Sequence, residues 1–148
     1  GAAAVRARHR LAVGSALFGL LRADDLVPAY RLSASSALPG RGTLAAAWRP
    51  ELEPVLGVVA ARELVVDLRS GSYMALARVP GAVTVTVRTA AGAVVSHFNK
   101  AHKGRLARLL ASTRAEPSDA AGVATLARRA GLRVERRGRA LELVLPTP

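Results

Sequence analysis

Residues 97–110 read HFNKAHKGRLARLL and carry the clearest pattern in the chain. On a helical wheel at about 100° per residue, the apolar side chains of this stretch collect on one side and the cations spread over the rest. The apolar members are Phe98, Leu106, Leu109 and Leu110, and the cations are Lys100, Lys103, Arg105, Arg108 and, just beyond, Arg114. The pattern predicts a helix over about 99–113 with one buried face and one basic face.

The predicted basic face has no acidic neighbours. No Asp or Glu lies between Arg88 and Arg114, so the cations have no i,i+4 partners to balance them. Gly104, in the middle of the helix, costs about 1 kcal/mol of helix propensity relative to Ala, which suggests that either a close backbone approach or a missing side chain is needed there. A solvated charged face is the ordinary alternative, but an unbalanced one is expected to bind an external anion.

Composition and charge favour a globular protein with a polyanionic partner. The 148 residues are 51% hydrophobic, enough for one domain with a core, and 22 Lys and Arg against 10 Asp and Glu give a net charge of +12. Residues 88–139 alone hold 12 cations and 3 acids. There is no Cys, and no apolar run reaches the roughly 18 residues of a membrane helix, so we expect a cytoplasmic protein without a membrane span.

Apolar runs and turn residues predict helices and turns before residue 63. The run Leu11–Arg22 predicts a buried helix ended by the acids at 24–25. An extended segment then leads to a turn at 39–42. Thr43 is predicted to cap a helix to about residue 61 that is interrupted or restarts at Pro50.

The rest of the chain predicts strands and helices. Strands are expected at 63–68, at 83–87 paired with 93–96, and at 132–136 paired with 140–145. A short helix is expected to end near Arg78, and Ser118 or Asp119 is predicted to cap a helix to Ala130. The fold class is therefore predicted to be α+β, a mixed sheet with hairpins and flanking helices in one unit that is part of a larger single domain.

Catalytic, metal and phosphate-loop motifs are weak. Ser70 and Ser72 follow a strand but lie outside G-x-S-x-G, so a capping role is expected instead of nucleophilic catalysis. His97 and His102 have no acid near them in sequence and are not expected to bind a metal. Gly40–Thr43 lacks the Lys-Ser/Thr of a P-loop and predicts a turn. We predict no metal and no cofactor.

Three ordered stretches carry longer motifs. Residues 15–22 (SALFGLLR), with Asp25 and 30–32 (YRL), resemble S-G-L-Y-G-x-L-R-P-x-D-x-x-x-P-Y-R-L. Residues 67–73 (DLRSGSY) are similar to N-L-A-S-x-E-Y, and 100–108 are similar to K-K-A-R-G-x-x-x-R, with a lysine at 103 in place of Arg. These are motifs of the YaaA family of peroxide stress resistance proteins, which the chain resembles over nearly its whole length.

The resemblance implies that residues 1–148 are the C-terminal portion of a YaaA-like domain whose N-terminal portion is absent from this sequence. It also implies a role in limiting iron-driven oxidative damage to DNA and binding to duplex or junction DNA, with a helix-hairpin-helix outside this sequence. Asp67 and Ser72 stand where the family has Asn and Glu. Any catalytic or metal site that depends on the family's acidic positions is therefore expected to be missing here.

Three functions stay open. We predict a DNA-binding protein of low sequence specificity that uses the basic helix through Lys100, Lys103, Arg105 and Arg108, because the five aromatic residues of the chain offer little base stacking. The alternative is an enzyme acting on a nucleotide or phosphorylated small molecule. Its pocket would combine the family-motif residues with two lysines: Arg22, Asp25, Tyr30, Arg31, Ser70, Tyr73, Lys100 and Lys103. The third is a structural domain with an Arg-rich surface. No oligomeric state is predicted.

Overall fold

A computed structural model describes residues 1–95 and 99–146 and confirms the α+β class. The described residues group into two units by their contacts. Unit 1 contains residues 1–62 and 69–80, and unit 2 contains residues 63–68 and the described residues from 81 to 146. Residues 63–68 belong to unit 2 because the strand within them pairs in parallel with the strand at residues 83–88.

Unit 1 consists of short hairpins and helices. Its elements are α1 (Ala2–Arg10), β1 (Ala12–Ser15), β2 (Gly19–Arg22), β3 (Ala37–Leu38), β4 (Gly42–Thr43), α2 (Leu44–Arg62) and α3 (Gly71–Met74). β1 pairs antiparallel with β2, and β3 pairs antiparallel with β4. The small core consists of Ala16, Ala34, Leu44 and Leu76, with Trp48 among the partly buried side chains packed against it.

The predicted buried helix over Leu11–Arg22 is wrong, because this segment forms the β1–β2 hairpin. In the turn of the hairpin, Ser15 Oγ accepts the backbone N–H of Phe18 at 2.9 Å. Gly19 has a φ of 75°, which glycine adopts without strain. The Trp48 ring covers Gly19, and its Nε1 donates to the carbonyl oxygen of Ala16 at 2.9 Å. This partner lies far along the chain, so tertiary packing overrides the local helical pattern. Helix α1, which precedes the hairpin, was not predicted.

Helix α2 begins where the sequence predicts. Thr43 Oγ1 accepts the backbone N–H of Ala46 at 3.1 Å, and the predicted turn at 39–42 joins β3 to β4. The predicted interruption at Pro50 is wrong, because the helix continues through both Pro50 and Pro54. Both prolines are exposed, so water can satisfy the carbonyl groups that lose a helical partner.

Unit 2 contains a mixed sheet with two helices packed against it. Its elements are β5 (Val66–Asp67), β6 (Val83–Arg88), α4 (Asn99–Ser112), α5 (Ala120–Arg129), β7 (Val134–Arg137) and β8 (Ala140–Val144). The strand order is β5-β6-β8-β7, with β5, β6 and β8 parallel and β7 antiparallel to β8. The core contains Val83, Val85, Val87, Leu106, Ala120, Val123, Ala124, Ala127, Val134, Leu141 and Leu143.

Most predicted elements of unit 2 are confirmed. The terminal hairpin β7–β8 is present, and Asp119 caps α5 by accepting the N–H of Gly122 at 2.7 Å. The strand predicted at 93–96 is present only as an isolated bridge between Arg88 and Val94 within the described residues. Residues 96–98, which include the predicted apolar Phe98 and candidate His97, lie outside the described residues.

Candidate functional site

Helix α4 positions the basic residues that the sequence singles out. Leu106 is fully buried, at 0% exposure, in the core of unit 2, and Leu109 and Leu110 pack against that core while partly exposed. This apolar face fixes the rotation of the helix about its axis. The opposite face, which contains Lys100, Gly104, Arg105 and Arg108, is exposed.

Three of the four predicted DNA-binding cations form one surface, which we term the α4 basic stripe: Lys100, Arg105 and Arg108. Helical periodicity places them within an arc of about 140° and over about 12 Å along the helix axis. None of the three side chains makes a hydrogen bond or ion pair with another residue of the described chain. Their charges are therefore open to solvent and to an external anion.

Lys103 occupies a different environment from the stripe. It is half-buried, and its Nζ donates a hydrogen bond of 3.3 Å to the carbonyl oxygen of Leu68, directly after β5. Burial lowers the pKa of Lys103 below its ordinary value of 10.5, and attraction to the carboxylate of Asp67 partly opposes this effect. Lys103 therefore ties α4 to the carboxyl end of β5 instead of extending into solvent with the stripe.

Asp67 is the residue of this site whose role sequence reasoning missed. It ends β5, is only 7% exposed, and has a hydrogen-bonding or electrostatic interaction of its own within the chain. A carboxylate within an apolar strand was the available signal, since a buried acid requires a partner. Within unit 2, the contact of Lys103 with Leu68 joins the first two residues of the motif at 67–73 to the motif at 100–108.

Several other cations of unit 2 are engaged by oxygens of the chain itself. Glu142, 7% exposed, pairs with Arg88 Nε at 3.0 Å through Oε1 and with Arg137 Nε at 3.4 Å through Oε2. Arg128 donates twice to the carbonyl of Val134, at 2.9 and 2.7 Å. Arg88, Arg128 and Arg137 thus stabilise the fold, whereas the side chains of the α4 basic stripe have no hydrogen-bond or ion-pair partner in the described chain.

The six residues of the predicted family-motif pocket all lie in unit 1. Asp25 Oδ2 accepts the backbone N–H of Arg22 at 2.7 Å. The backbone N–H of Asp25 also donates to the carbonyl oxygen of Arg22 at 3.3 Å, and among the described residues no other side-chain hydrogen bond joins two members of the set. Arg31 and Ser70 are exposed, and Ser70 precedes α3 without a side-chain capping bond.

The two tyrosines of that set pack within unit 1. Tyr30 Oη lies 2.6 Å from the Oγ of the buried Ser15, and its ring meets Phe18 edge to face at a centroid distance of 5.6 Å. Tyr73 is half-buried against the small core. These contacts stabilise the β1–β2 hairpin and its surroundings, and they do not bring the six side chains together.

Arg69 is a further residue that the sequence did not single out. Its Nη1 donates to the carbonyl of Tyr73 at 3.3 Å and its Nη2 to the carbonyl of Ala77 at 2.8 Å. The Arg69 stem also lies over Gly14, where an added Cβ would stand 3.2 Å from Cδ. Arg69 thus holds the loop around α3 to β1, a role that sequence alone does not reveal, because both carbonyls are backbone groups.

The described residues contain neither a metal-ligand cluster nor a membrane-spanning helix. Among the described residues, no group of three or more His, Cys, Asp or Glu could hold a metal ion. His102 is half-buried on α4, and His97 lies outside the described residues. Over the described ranges 1–95 and 99–146, no helix is long and apolar enough to cross a membrane.

Comparison with known proteins identifies the class of this chain. The family model described as Peroxide stress protein YaaA matches residues 2–136. The chain therefore belongs to the YaaA peroxide stress protein family, the one that its three motifs resemble. No solved structure matches it significantly.

Curated relatives come from two bacterial genera. UPF0246 protein CE1889 of Corynebacterium efficiens is 50% identical over 137 residues, covering 87% of this chain and 55% of the relative. UPF0246 protein SCO2297 of Streptomyces coelicolor is 43% identical over 140 residues, covering 90% of this chain and 54% of the relative. The chain thus spans about half the length of the curated relatives it matches.

Proposed function

We propose that this chain is part of a peroxide stress protein that binds duplex or junction DNA with low sequence specificity through the α4 basic stripe. The observation that carries the proposal is the exposure of Lys100, Arg105 and Arg108 on one helix face without a partner in the described chain. A DNA duplex supplies a regular array of phosphates for such a face. The peroxide stress part rests on the name of the family.

The proposed contacts go to phosphates and not to bases. Long flexible cations exposed on a helix can reach the phosphate backbone, and such contacts position a protein on DNA without reading its sequence. Lys103 is left out of the proposed set, although the sequence predicted it there, because its Nζ is engaged by the carbonyl of Leu68.

Binding of this kind also offers a route to limiting iron-driven damage. Phosphates neutralised by Lys and Arg release the counterions condensed on the duplex. Ferrous ions are cations and would be displaced with the others, so peroxide would meet less iron at the DNA. Action on DNA would place the protein in the cytoplasm.

The test is a salt titration of binding to labelled duplexes of two unrelated sequences. Three phosphate contacts give a slope of about −2.7 for log affinity against log salt, or about a fortyfold loss between about 50 and 200 mM salt. We expect the two sequences to bind equally. A flat salt response, or no binding by a folded protein, would refute the proposal.

A second candidate is an enzyme acting on a nucleotide or phosphorylated small molecule. The environment of Lys103 favours it, because a half-buried lysine with a lowered pKa beside an acid suits acid-base or nucleophilic chemistry. The variants Lys100→Arg and Lys103→Arg separate the two functions, since both retain the positive charge. Loss of peroxide protection by the full-length protein with unchanged DNA affinity would favour the enzyme, and retention of both would favour DNA binding.

A further inference from the structure

Gly104 lies in the middle of the exposed face of α4. Gly104 lies in the interior of α4, is exposed, and does not have a positive φ. A Cβ added at Gly104 would meet no atom within 4 Å. The fold of the described chain therefore supplies neither a conformational nor a steric reason for glycine at this position.

Glycine is nonetheless unfavourable there. In a helix interior it loses more conformational freedom on folding than alanine does and is the less stable choice. The close backbone approach expected from the sequence is not made by any described residue of the chain itself. An approach from outside the described residues is therefore the explanation that we develop.

The position of Gly104 relative to the α4 basic stripe indicates which ligand would approach. Gly104 is one helical turn from Lys100 and one turn from Arg108, about 6 Å along the axis from each, and its direction lies between theirs. Arg105 follows it directly in sequence. A gap in the side-chain surface is thus flanked by cations on both sides, at the place where an anionic backbone would come nearest the helix.

We propose that Gly104 is the point of closest approach of a nucleic-acid backbone to α4. The missing side chain lets one phosphate and its sugar lie against the helix while Lys100 and Arg108 contact phosphates on either side. This inference rests on the proposed function and adds to it a specific contact point that carries no charge.

The experiment compares Gly104→Ala with wild type and with Gly57→Ala. Gly57 is a matched control, because it is also a helical glycine, in α2, with no atom within 4 Å of an added Cβ and no positive φ. Both substitutions should raise stability to urea, since alanine favours a helix. DNA affinity is measured for all three proteins with the same labelled duplex at several salt concentrations.

We expect Gly104→Ala to weaken DNA binding and Gly57→Ala to leave it unchanged. If the methyl group holds one phosphate away, the salt slope falls by about 0.9, although no charge is removed. With equal affinities at about 1 M salt, this change in slope lowers the affinity at about 0.1 M salt about eightfold. Gly104→Ala that binds like wild type would overturn the inference, as would an equal loss in both variants or a loss of stability at 104. Absence of binding by wild type would instead overturn the proposed function on which the inference rests.

Discussion

Replacing Lys100, Arg105 and Arg108 together by Ala should abolish most of the salt-dependent DNA binding. The three side chains are exposed and unpartnered in the described chain, so their loss should change the free energy of unfolding by no more than about 0.5 kcal/mol each. Each phosphate contact contributes about 0.9 to the salt slope, so the slope should fall by about 2.7. If the variant and the wild type bind equally at about 1 M salt, the affinity of the variant at about 0.1 M salt should be about 500-fold lower than that of the wild type.

Fluorescence anisotropy with a labelled duplex measures both the slope and the affinity. The control variant removes the same charge elsewhere by changing Arg62, Arg129 and Arg133 to Ala, three exposed arginines without a side-chain partner in the described chain. If long-range attraction by the net charge explained the binding, the control would lose as much slope as the α4 variant. Equal losses would therefore refute the role of the α4 basic stripe, and so would a triple variant with an unchanged slope.

Three further predictions concern the fold. Because burial lowers the pKa of Lys103, the unfolded chain binds more protons than the folded one just below pH 10.5, so stability should rise with pH in that window. Urea unfolding at about pH 7 and about pH 10 should show this gain in wild type relative to Lys103→Met, and parallel profiles would contradict it. Gly19→Ala should destabilise more than Gly40→Ala in the same assay: both positions have positive φ, which costs alanine about 1–2 kcal/mol, but only at Gly19 would the methyl stand 2.8 Å from the Trp48 ring. The exposed apolar side chains of unit 1, with Phe18 at the hairpin turn, predict that residues 1–148 associate as concentration rises; sedimentation showing a monomer throughout would count against this.

The elements that sequence predicts well are those whose signals are local. The cap at Asp119, the apolar period of α4 and the alternation along β6 each depend on residues a few positions apart, and all three are present in the structure. The Leu11–Arg22 segment failed for the opposite reason. Its apolar run suits a helix, but Gly19 and the distant Trp48 stabilise a hairpin, and no window of neighbouring residues contains that contact.

The candidate site also combines features that the sequence predicts with features that depend on tertiary packing. The sequence by itself determined the family, the α+β class, and the presence of an unbalanced basic helix, because motifs, periodicity and charge are properties of residue order. It could not separate Lys103 from Lys100, since both are lysines on the same predicted helix. Only the tertiary structure decided that Lys103 Nζ binds the carbonyl of Leu68 near Asp67 while Lys100 stays exposed. The physical reason is that burial and hydrogen bonding depend on which strand packs beside each turn of the helix, and that strand lies more than thirty positions earlier in the chain.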